Sequence, residues 1–355
     1  MRVVVAMSGG VDSSVAAALV AESGHDVIGL SMQLYDQSGG ESGYGSCCSL
    51  ADLHDAGRVA RRLSFPHYIV NFEREFQRTV VKNFVDEYIA GRTPIPCAHC
   101  NSDLKFATLL DRAMAYGAEA VATGHYARIG IDPQSGRHLL LRGRDAAKDQ
   151  SYFLFSLTQE QLARASFPVG NLSKDEVRDV ARRLGLPVAD KPDSQEICFV
   201  PDGDYAAFIE KTSGDLDAGG AIVSQSGAVL GRHGGIHRFT VGQRKGLGIA
   251  AAEPMYVLQL RPSEKTVVVG PRPQLERTTL TASEVNWIAG APPAGPLRIT
   301  AQIRHRHQPA AATVRALMDD RATVEFDSPV IAITPGQAVV FYDGDLVIGG
   351  GWIDT

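Results

Sequence analysis

The chain has 355 residues, 44% of them hydrophobic and 21% charged, with a formal net charge of −5 at pH 7. These values are typical of a folded protein with two or three domains, and the negative charge argues against a general polyanion-binding protein. The sequence has no apolar run near the roughly 18 residues of a membrane span and no signal-peptide pattern, so we expect a cytoplasmic protein.

The first half of the chain alternates strand and helix patterns. Apolar runs predict strands at residues 2–7, 26–34, 65–71 and 119–123, and helical spacing predicts helices at residues 12–23, 73–90 and 102–116. Strands that alternate with helices usually form a parallel sheet that is covered on both faces. The sequence therefore predicts an α/β domain, which we place at residues 1–203.

The second half of the chain has a different pattern. Beyond residue 219, short β-branched runs are separated by Gly and Pro, which is typical of small antiparallel β domains. A stretch rich in Ala, Gly and Pro at residues 288–296 has the composition of a linker. We therefore expect a central β-rich domain at residues 204–287 and a C-terminal, barrel-like domain at residues 288–355.

The motif SGGVDS at residues 8–13 lies between the first predicted strand and the first predicted helix. Its glycines permit positive φ and let backbone N–H groups approach an anion, and the N-terminus of the helix adds unpaired donors. Asp12 would repel a bare phosphate, so its carboxylate indicates Mg²⁺ bound together with the phosphates. The chain contains neither a Walker G-K-[ST] nor a G-x-G-x-x-G motif.

The SGGVDS motif resembles the PP-loop of the ATP pyrophosphatases. This resemblance implies that ATP is cleaved to AMP and pyrophosphate and that the substrate is adenylated. Because the superfamily contains amidotransferases, ligases and tRNA-modifying enzymes, the loop alone does not identify the reaction.

The cysteines argue against a structural disulfide framework and suggest chemistry, a metal site or simply small buried apolar residues. The chain has an odd number of cysteines and no secretion signal, and they are Cys47, Cys48, Cys97, Cys100 and Cys198. Loop cysteines beside helix starts and charged neighbours can form reactive thiolates. Cys100 and Cys198 are far apart in the sequence, so they do not form a local zinc finger. Cys47 and Cys48 are expected to be packed or incidental.

Four segments resemble the tRNA-specific 2-thiouridylases of the MnmA type. They are GRTP-x-P-x-x-x-CN-x-x-x-KF at residues 91–106, KDQSYFL at 148–154, DSQEICF at 193–199 and TVGQRKGLGI at 240–249. The resemblance runs along the whole chain. It implies an α/β PP-loop domain followed by small antiparallel β domains, and ATP-dependent 2-thiolation of the wobble uridine in Lys, Glu and Gln tRNAs.

The resemblance also assigns site residues. It implies that Cys198 carries a persulfide and that Cys100 is its partner nucleophile. The implied ATP contacts are Ala6, Met7, Ser8, Gly9, Gly10, Val11, Asp12, Ser13, Met32 and Gly124. The implied tRNA contacts are Ile95, Pro96, Cys97, His125, Lys148, Asp149, Gln150, Arg304, His305 and Gln337. It further implies a sulfur-relay partner supplied by a cysteine desulfurase, and we expect a monomer.

The sequence departs from the family at one place and leaves the sulfur route open. The family often has Asn at the position of Ile95 and sometimes Asp at that of Cys97, so a carboxylate acid/base role there is not carried over. Three thiols, those of Cys97, Cys100 and Cys198, could instead hold an iron–sulfur cluster or zinc. A small-molecule amidotransferase or ligase, or a nucleotide-sensing or tRNA-binding protein without chemistry, would also contain a phosphate loop of this kind.

Overall fold

The computed structural model describes residues 1–35, 49–193, 197–200, 203–214, 216 and 219–354. Cys47, Cys48 and most of the Gly/Ser-rich insert lie outside these residues. The described helices are α1 (Val11–Glu22), α2 (Leu50–Arg62), α3 (Glu73–Phe76), α4 (Lys82–Ile89), α5 (Pro96–His99), α6 (Leu109–Ala115), α7 (Gln159–Ala163), α8 (Lys174–Arg183) and α9 (Tyr205–Ser213). None of them combines the length and hydrophobicity that a membrane span requires.

The first half folds around a five-stranded parallel sheet. Its strands are β1 (Arg2–Ala6), β2 (Asp26–Gln33), β3 (His67–Asn71), β4 (Ala120–Ala122) and β7 (Ala165–Ser166), in the spatial order β3-β2-β1-β4-β7. The chain adds β2 and then β3 on one side of β1, and it adds β4 and then β7 on the other side. The order of the strands therefore changes direction between β1 and β4. In such sheets ligands bind beyond the carboxyl ends of the strands at this switch point, where the loops after β1 and β4 lie side by side.

Two hydrophobic clusters cover the two faces of this sheet. One contains Val15 of α1 and Val177 of α8, and the other contains Phe84 of α4 and Leu109 of α6. Buried apolar residues on both faces are the pattern that a parallel sheet requires. The predicted α/β class is thus confirmed.

Two helices that the sequence predicts as regular contain π-helical turns. The segment Gln77–Val81 joins α3 to α4, and the segment Cys100–Thr108 joins α5 to α6. Short π-helical segments occur often at functional sites because they change which side chains share a helix face. The second segment begins at Cys100, so the wider turn starts at a predicted catalytic residue.

A second, larger sheet forms the C-terminal part. It contains β5 (Ala127–Ile131), β6 (His138–Arg142), β12 (Glu276–Asn286), β13 (Leu297–Gln302), β14 (Ala310–Ala316), β15 (Ala322–Ile331), β16 (Ala338–Asp343) and β17 (Leu346–Ile353). Pairing of β12 with both β15 and β17 closes six of these strands into a barrel. The hairpin β5–β6 comes from the first half of the chain and pairs with β17 at Leu141 and Leu346.

A third sheet of four strands lies between these two regions in sequence. Its strands are β8 (Gly220–Ser224), β9 (Val229–His233), β10 (Met255–Arg261) and β11 (Thr266–Pro271), and the β8–β11 pair is parallel while the others are antiparallel. β12 belongs to the barrel although it precedes the predicted linker at 288–296. The domain boundaries at 203/204 and 287/288 stay a prediction.

Candidate functional site

The loop between β1 and α1 is shaped by glycine and serine. Gly9 has φ +74°, and a Cβ atom there would lie 2.2 Å from the backbone oxygen of Asp52, so only glycine fits. The Oγ of Ser13 accepts a hydrogen bond from the N–H of Ser8 at 3.2 Å and lies 3.2 Å from the Oγ of Ser8. These contacts hold the loop as a tight turn in front of the N-terminus of α1.

The loop after β4 packs directly on this turn. A Cβ atom on Gly124 would lie 2.5 Å from the backbone nitrogen of Ser13. The structure thus places Gly124 against the loop at residues 8–13, and its contact with ATP stays a prediction. Met7, Val11 and Met32 are buried in the core, so Met7 and Val11 can offer a nucleotide mainly their backbone.

Asp12 faces a buried lysine that the sequence did not single out. The Nζ atom of Lys174 lies 2.7 Å and 2.9 Å from the two carboxylate oxygens of Asp12. The hydroxyl of Tyr126 donates to Oδ1 of Asp12 at 2.7 Å. Burial, and then the charge of Asp12, raise the pKa of Tyr126, so this hydroxyl remains a neutral donor.

The same lysine contacts the start of the Cys198 segment. Lys174 Nζ lies 2.7 Å from Oδ1 of Asp193, and Lys148 Nζ lies 2.7 Å from Oδ2 of Asp193. Burial alone would raise the pKa of Asp193, but hydrogen bonds from Lys148 and Lys174 outweigh it, so the pKa lies below its ordinary value. Asp12, Lys174, Asp193 and Lys148 therefore form a continuous ion-pair chain.

A second lysine holds the other side of the loop. Lys191 Nζ donates to the backbone oxygen of Gly9 at 3.1 Å, to Asp52 at 2.6 Å and to Asp55 at 2.7 Å. Burial lowers the pKa of Lys191, but the hydrogen bonds to the two carboxylates raise it by more, so the pKa lies above its ordinary value. This ammonium stays charged and ties the phosphate loop to α2.

Cys100 is supported from the KDQSYFL segment. Its neighbour Asn101 is 2% exposed and donates from Nδ2 to the backbone oxygen of Phe153 at 3.0 Å. Lys105 donates to Oδ1 of Asn101 at 2.9 Å. Two of the four motif segments are therefore in direct contact beside the predicted nucleophile.

Cys100 and Cys198 border one hydrophobic core. Both are partly buried and pack against the cluster that contains Phe76 and Phe84. Phe199 packs edge-on to Phe76 and Phe84, with ring centroids 5.4 Å and 5.1 Å apart. Cys97 is exposed on α5. Across the described parts of the chain, His, Cys, Asp and Glu side chains do not gather in a group of three or more that could hold a metal ion.

The loop before Cys100 is fastened to the C-terminal barrel. Gln337 donates from Nε2 to the backbone oxygen of Thr93 at 2.8 Å, and the N–H of Thr93 donates to Pro335 at 2.8 Å. The His99 ring stacks on Trp352 with a centroid distance of 4.6 Å and an interplanar angle of 4°. Gln337, predicted to contact tRNA, thus contacts the segment that leads through Ile95 into α5, where Pro96 and Cys97 lie.

His125 is enclosed by aromatic rings. The centroids of Phe106 and Phe167 lie 6.4 Å and 5.9 Å from the imidazole, and Thr123 Oγ1 lies 2.7 Å from Nδ1. Burial, followed by the positive charge of Lys105, lowers the pKa of His125 well below its ordinary value. The imidazole is therefore neutral near pH 7.

Several other predicted tRNA residues make internal contacts. Asp149 accepts from Arg142 at 2.8 Å, and Gln150 Oε1 accepts from the N–H of Tyr126 at 3.0 Å. The His305 ring lies 4.5 Å from Phe153, and Arg304 donates to a barrel backbone oxygen at 3.4 Å. The structure thus brings the KDQ segment and the Arg304–His305 run together at the junction between the α/β domain and the barrel.

Sequence reasoning missed Tyr126, Lys174 and Lys191 and assigned no role to Asp193. The signal for Asp193 was present, since it opens the DSQEICF segment. Lys174 follows the N-cap Ser173, whose capping box with Glu176 marks the start of α8. Nothing in the sequence shows that this helix start faces Asp12.

Comparison with known proteins gives matches along the whole chain. A family model described as the tRNA methyl transferase HUP domain matches residues 1–202, a PRC-barrel domain model of the same name matches residues 206–271, and an aminomethyltransferase beta-barrel domain model matches residues 277–353. The tRNA-specific 2-thiouridylase MnmA of Koribacter versatilis is 53% identical over 99% of this chain and 98% of its own length. That of Geotalea uraniireducens is 55% identical over 99% and 95%.

A likeness to solved structures is weaker. A 4-thiouridine synthetase–RNA complex with bound ATP matches 59% of this chain and 50% of that chain, at 20% identity and a TM-score of 0.36. A similarity of this size supports no conclusion about fold or function. The relatives that match over their full length are the informative ones.

Proposed function

The chain belongs to the tRNA-specific 2-thiouridylase family, and we propose on that premise that it is a sulfurtransferase that thiolates a tRNA uridine at the expense of ATP. The observation that carries this proposal is the position of Cys100 and Cys198, which border one hydrophobic core although they are far apart in sequence. One domain thus holds both thiols and a phosphate loop. An amidotransferase or ligase needs an ammonia source instead of two such thiols.

The ATP half of the reaction is assigned to the switch point of the parallel sheet. The proposed contacts are Ala6, Met7, Ser8, Gly9, Gly10, Val11, Asp12, Ser13, Met32 and Gly124, and they rest on the turn geometry and on the family. The uridine C2 carbonyl is urea-like and a poor electrophile. Transfer of AMP to its oxygen, with release of pyrophosphate, converts that oxygen into a good leaving group.

Mg²⁺ fits the donors at this site. The ion usually binds nucleotide phosphates through one or two protein carboxylates and keeps several water ligands. Asp12 supplies one carboxylate at the first turn of α1 and would hold the ion there. When bound, Mg²⁺ neutralises part of the phosphate charge.

The sulfur half is assigned to the two cysteines. A partner protein places a sulfane sulfur on Cys198, which gives a persulfide. The Cys100 thiolate attacks the Cys198 sulfur, forms a Cys100–Cys198 disulfide and releases hydrosulfide. Hydrosulfide adds to C2 of the adenylated uridine and displaces AMP. Two electrons from an external thiol then reduce the disulfide before the next turnover.

The tRNA face is assigned to the junction of the α/β domain and the barrel. The proposed contacts, or the residues that support them, are Ile95, Pro96, Cys97, His125, Lys148, Asp149, Gln150, Arg304, His305 and Gln337. We propose the wobble uridine of Lys, Glu and Gln tRNAs as the target. We further propose a sulfur-relay protein supplied by a cysteine desulfurase as donor, and a monomeric cytoplasmic enzyme.

Single-turnover chemistry tests the cysteine assignment. Cys198→Ser has no acceptor for sulfur, so we expect neither persulfide nor thiolated tRNA. Cys100→Ser should accept sulfur on Cys198 but release none, because a hydroxyl cannot resolve a persulfide. Peptide mapping after one turnover of the wild-type enzyme should show a Cys100–Cys198 disulfide, and mass analysis of digested tRNA should show one sulfur-for-oxygen exchange.

Cys97→Ser separates the two sulfur routes because it changes an exposed thiol three residues from Cys100. On the persulfide route it should still form the Cys100–Cys198 disulfide when tRNA is saturating. An iron–sulfur route predicts three different results. The anaerobic protein would contain stoichiometric iron, Cys97→Ser would be as inactive as Cys100→Ser, and no disulfide would form. Unmodified tRNA in every wild-type reaction with ATP and a sulfur donor would overturn the proposed function itself.

A further inference from the structure

The start of α8 carries a buried lysine that points at the phosphate loop. The Lys174 side chain is 10% exposed, and its backbone N–H donates to Asp145 at 3.0 Å. Ser173 and Glu176 form a reciprocal capping box at the same helix end. These contacts fix the helix start, so the lysine side chain leaves a rigid backbone position and reaches α1.

The Lys174 ammonium contacts two carboxylates, although one would balance its charge. Its ammonium lies against both oxygens of Asp12 and against one oxygen of Asp193, all within 2.9 Å. Asp193 is also paired with Lys148 at 2.7 Å and lies 3.5 Å from Arg178. If Lys174 exchanges Asp12 for another anion, it can keep its contact with Asp193. Asp193 then still has Lys148 and Arg178 beside it as counter-charges.

We infer that Lys174 is a polyphosphate-binding residue that contacts the β- and γ-phosphates of ATP and the pyrophosphate product. The inference rests on the proposed use of ATP. The N-terminus of α1 and the glycine turn before it form an anion site, and the ammonium already lies at the first turn of that helix. A compact ammonium suits this role because it binds phosphate as a point charge.

The exchange of partners follows from burial. Asp12 cannot keep both its oxygens on Lys174 and also hold a metal ion. When Asp12 turns to the metal, the almost fully buried ammonium keeps only Asp193, a carboxylate that it shares with Lys148 and Arg178. The N–H groups that Asp12 releases need new acceptors, because an unsatisfied buried donor is destabilising. Phosphate oxygens supply those acceptors. Asp193 is then the positioning residue that keeps Lys174 directed at the loop.

A purely structural role for Lys174 predicts a different pattern. An ion pair that only joins α1 to α8 would, when removed, loosen the whole site and weaken all nucleotides alike. A polyphosphate contact affects only ligands that carry the β- and γ-phosphates. ATP and inorganic pyrophosphate have these groups, whereas AMP lacks them. Comparison of the three ligands therefore separates the two roles.

Calorimetric titration of the full chain with ATP, pyrophosphate and AMP in the presence of Mg²⁺ tests the inference. Lys174→Met should weaken ATP and pyrophosphate binding by about 10- to 100-fold, the effect of one charge-assisted hydrogen bond, and change AMP binding by less than about twofold. Lys174→Arg retains the charge and should recover part of the loss, because the larger, planar guanidinium fits a buried site shaped for an ammonium less well. Arg182→Met is the matched control, since it removes an exposed cation from the same helix.

Loss of the buried cation leaves Asp12 and Asp193 facing each other, so Lys174→Met could fail to fold. Lys174→Met combined with Asp193→Asn removes one charge of each sign and should show the same selective loss. Equally weakened binding of all three ligands, or unchanged pyrophosphate binding in both variants, would overturn the inference about Lys174. Neither result would affect the proposed use of ATP. A wild-type protein that binds none of the three ligands would overturn the proposed ATP use as well.

Discussion

At the residue scale, polar side chains near the site mostly have partners within the protein. Asp149 accepts from Arg142 and from the N–H of Gly143 at 2.9 Å, and Lys148 is paired with Asp193. Such contacts orient a side chain before any ligand arrives and reduce the conformational entropy lost on binding. We conclude that the side chains of the KDQ segment are held in place before any ligand binds.

The pKa of His125 gives a prediction about acid stability. Burial and the charge of Lys105 hold the pKa of His125 in the folded protein well below 6.5, its ordinary value. Below pH 6.5 the unfolded chain binds a proton at this residue and the folded chain does not. The stability that His125 contributes is thus complete above pH 6.5 and is lost as the pH falls, by at most about 1.4 kcal/mol per pH unit.

Urea unfolding of wild-type protein and His125→Asn at pH 7.0 and pH 5.5 measures this contribution. Asn can keep a hydrogen bond to Thr123 but does not titrate, so the variant should lose less stability between the two pH values. His54→Asn, at an exposed histidine of α2, is the control. The same pH dependence in wild type and His125→Asn would show that the pKa of His125 is equal in the folded and the unfolded protein.

At the element scale, the loop at residues 91–95 is held by two other regions. A Cβ atom on Gly91 would lie 2.7 Å from Pro262, and one on Gly336 would lie 2.9 Å from the N–H nitrogen of Thr93. Thr93 Oγ1 also lies 3.2 Å from Thr240, the first residue of the TVGQRKGLGI segment. The position of Cys100 therefore depends on contacts with Thr240, with Pro262 in the connection between β10 and β11, and with the barrel.

Gln337→Ala tests whether the barrel positions this loop. The substitution removes the amide that donates to Thr93 and Pro94. We expect faster amide exchange across residues 91–96 and a loss of about 1 kcal/mol in the free energy of unfolding. Sulfur transfer should become slower, whereas the affinity for tRNA should change by less than about twofold. Hydrogen exchange by mass spectrometry and a tRNA binding titration measure these effects.

Gln134→Ala, at an exposed position in the turn between β5 and β6, is the control for this substitution. It should leave exchange in the 91–96 loop unchanged. Weaker tRNA binding by Gln337→Ala with normal loop exchange would instead identify Gln337 as a direct tRNA contact.

At the scale of the whole molecule, the negative net charge and a polyanionic substrate are compatible only if basic groups share one face. The barrel and the hairpin β5–β6 form one continuous sheet, and this sheet brings Arg304 and His305 to the KDQ segment. His305 Nε2 lies 3.3 Å from the backbone oxygen of Asp149. Burial lowers the pKa of His305, so the positive charge there comes from Arg304 and Lys148, whose segments meet at this junction.

The salt dependence of tRNA binding tests this face. Each protein–phosphate contact contributes up to about 0.9 to the slope of log K against log salt concentration. Lys148→Ala combined with Arg304→Ala should therefore flatten the slope by up to about 1.8. The double variant Arg58→Ala/Arg183→Ala removes the same charge from α2 and α8 and should keep the wild-type slope.

A slope that is unchanged in the Lys148/Arg304 variant, with affinity also unchanged, would place the tRNA face elsewhere. A weaker affinity at an unchanged slope would indicate that Lys148 acts through Asp193 and the ATP site rather than on a phosphate. The slope and the affinity together distinguish a phosphate contact from an indirect effect.

The sequence by itself determined the α/β class and the family, and it located the glycine turn that we propose as the phosphate loop. These features depend on residues that are close together in the chain, such as the glycines of SGGVDS and the apolar periodicity of strands and helices. The cysteine-containing segments were recognisable for the same reason. What the sequence could assign was therefore local.

Only the tertiary structure decided which charged groups pair. Lys174 and Asp12 are 162 positions apart, and Gln337 and Thr93 are 244 positions apart. The hairpin β5–β6 looks in sequence like part of the first domain, yet it extends the barrel sheet. Contacts of this kind form because a buried charge or amide is destabilising unless it is hydrogen-bonded. Only the packing of the whole chain determines which complementary group lies close enough.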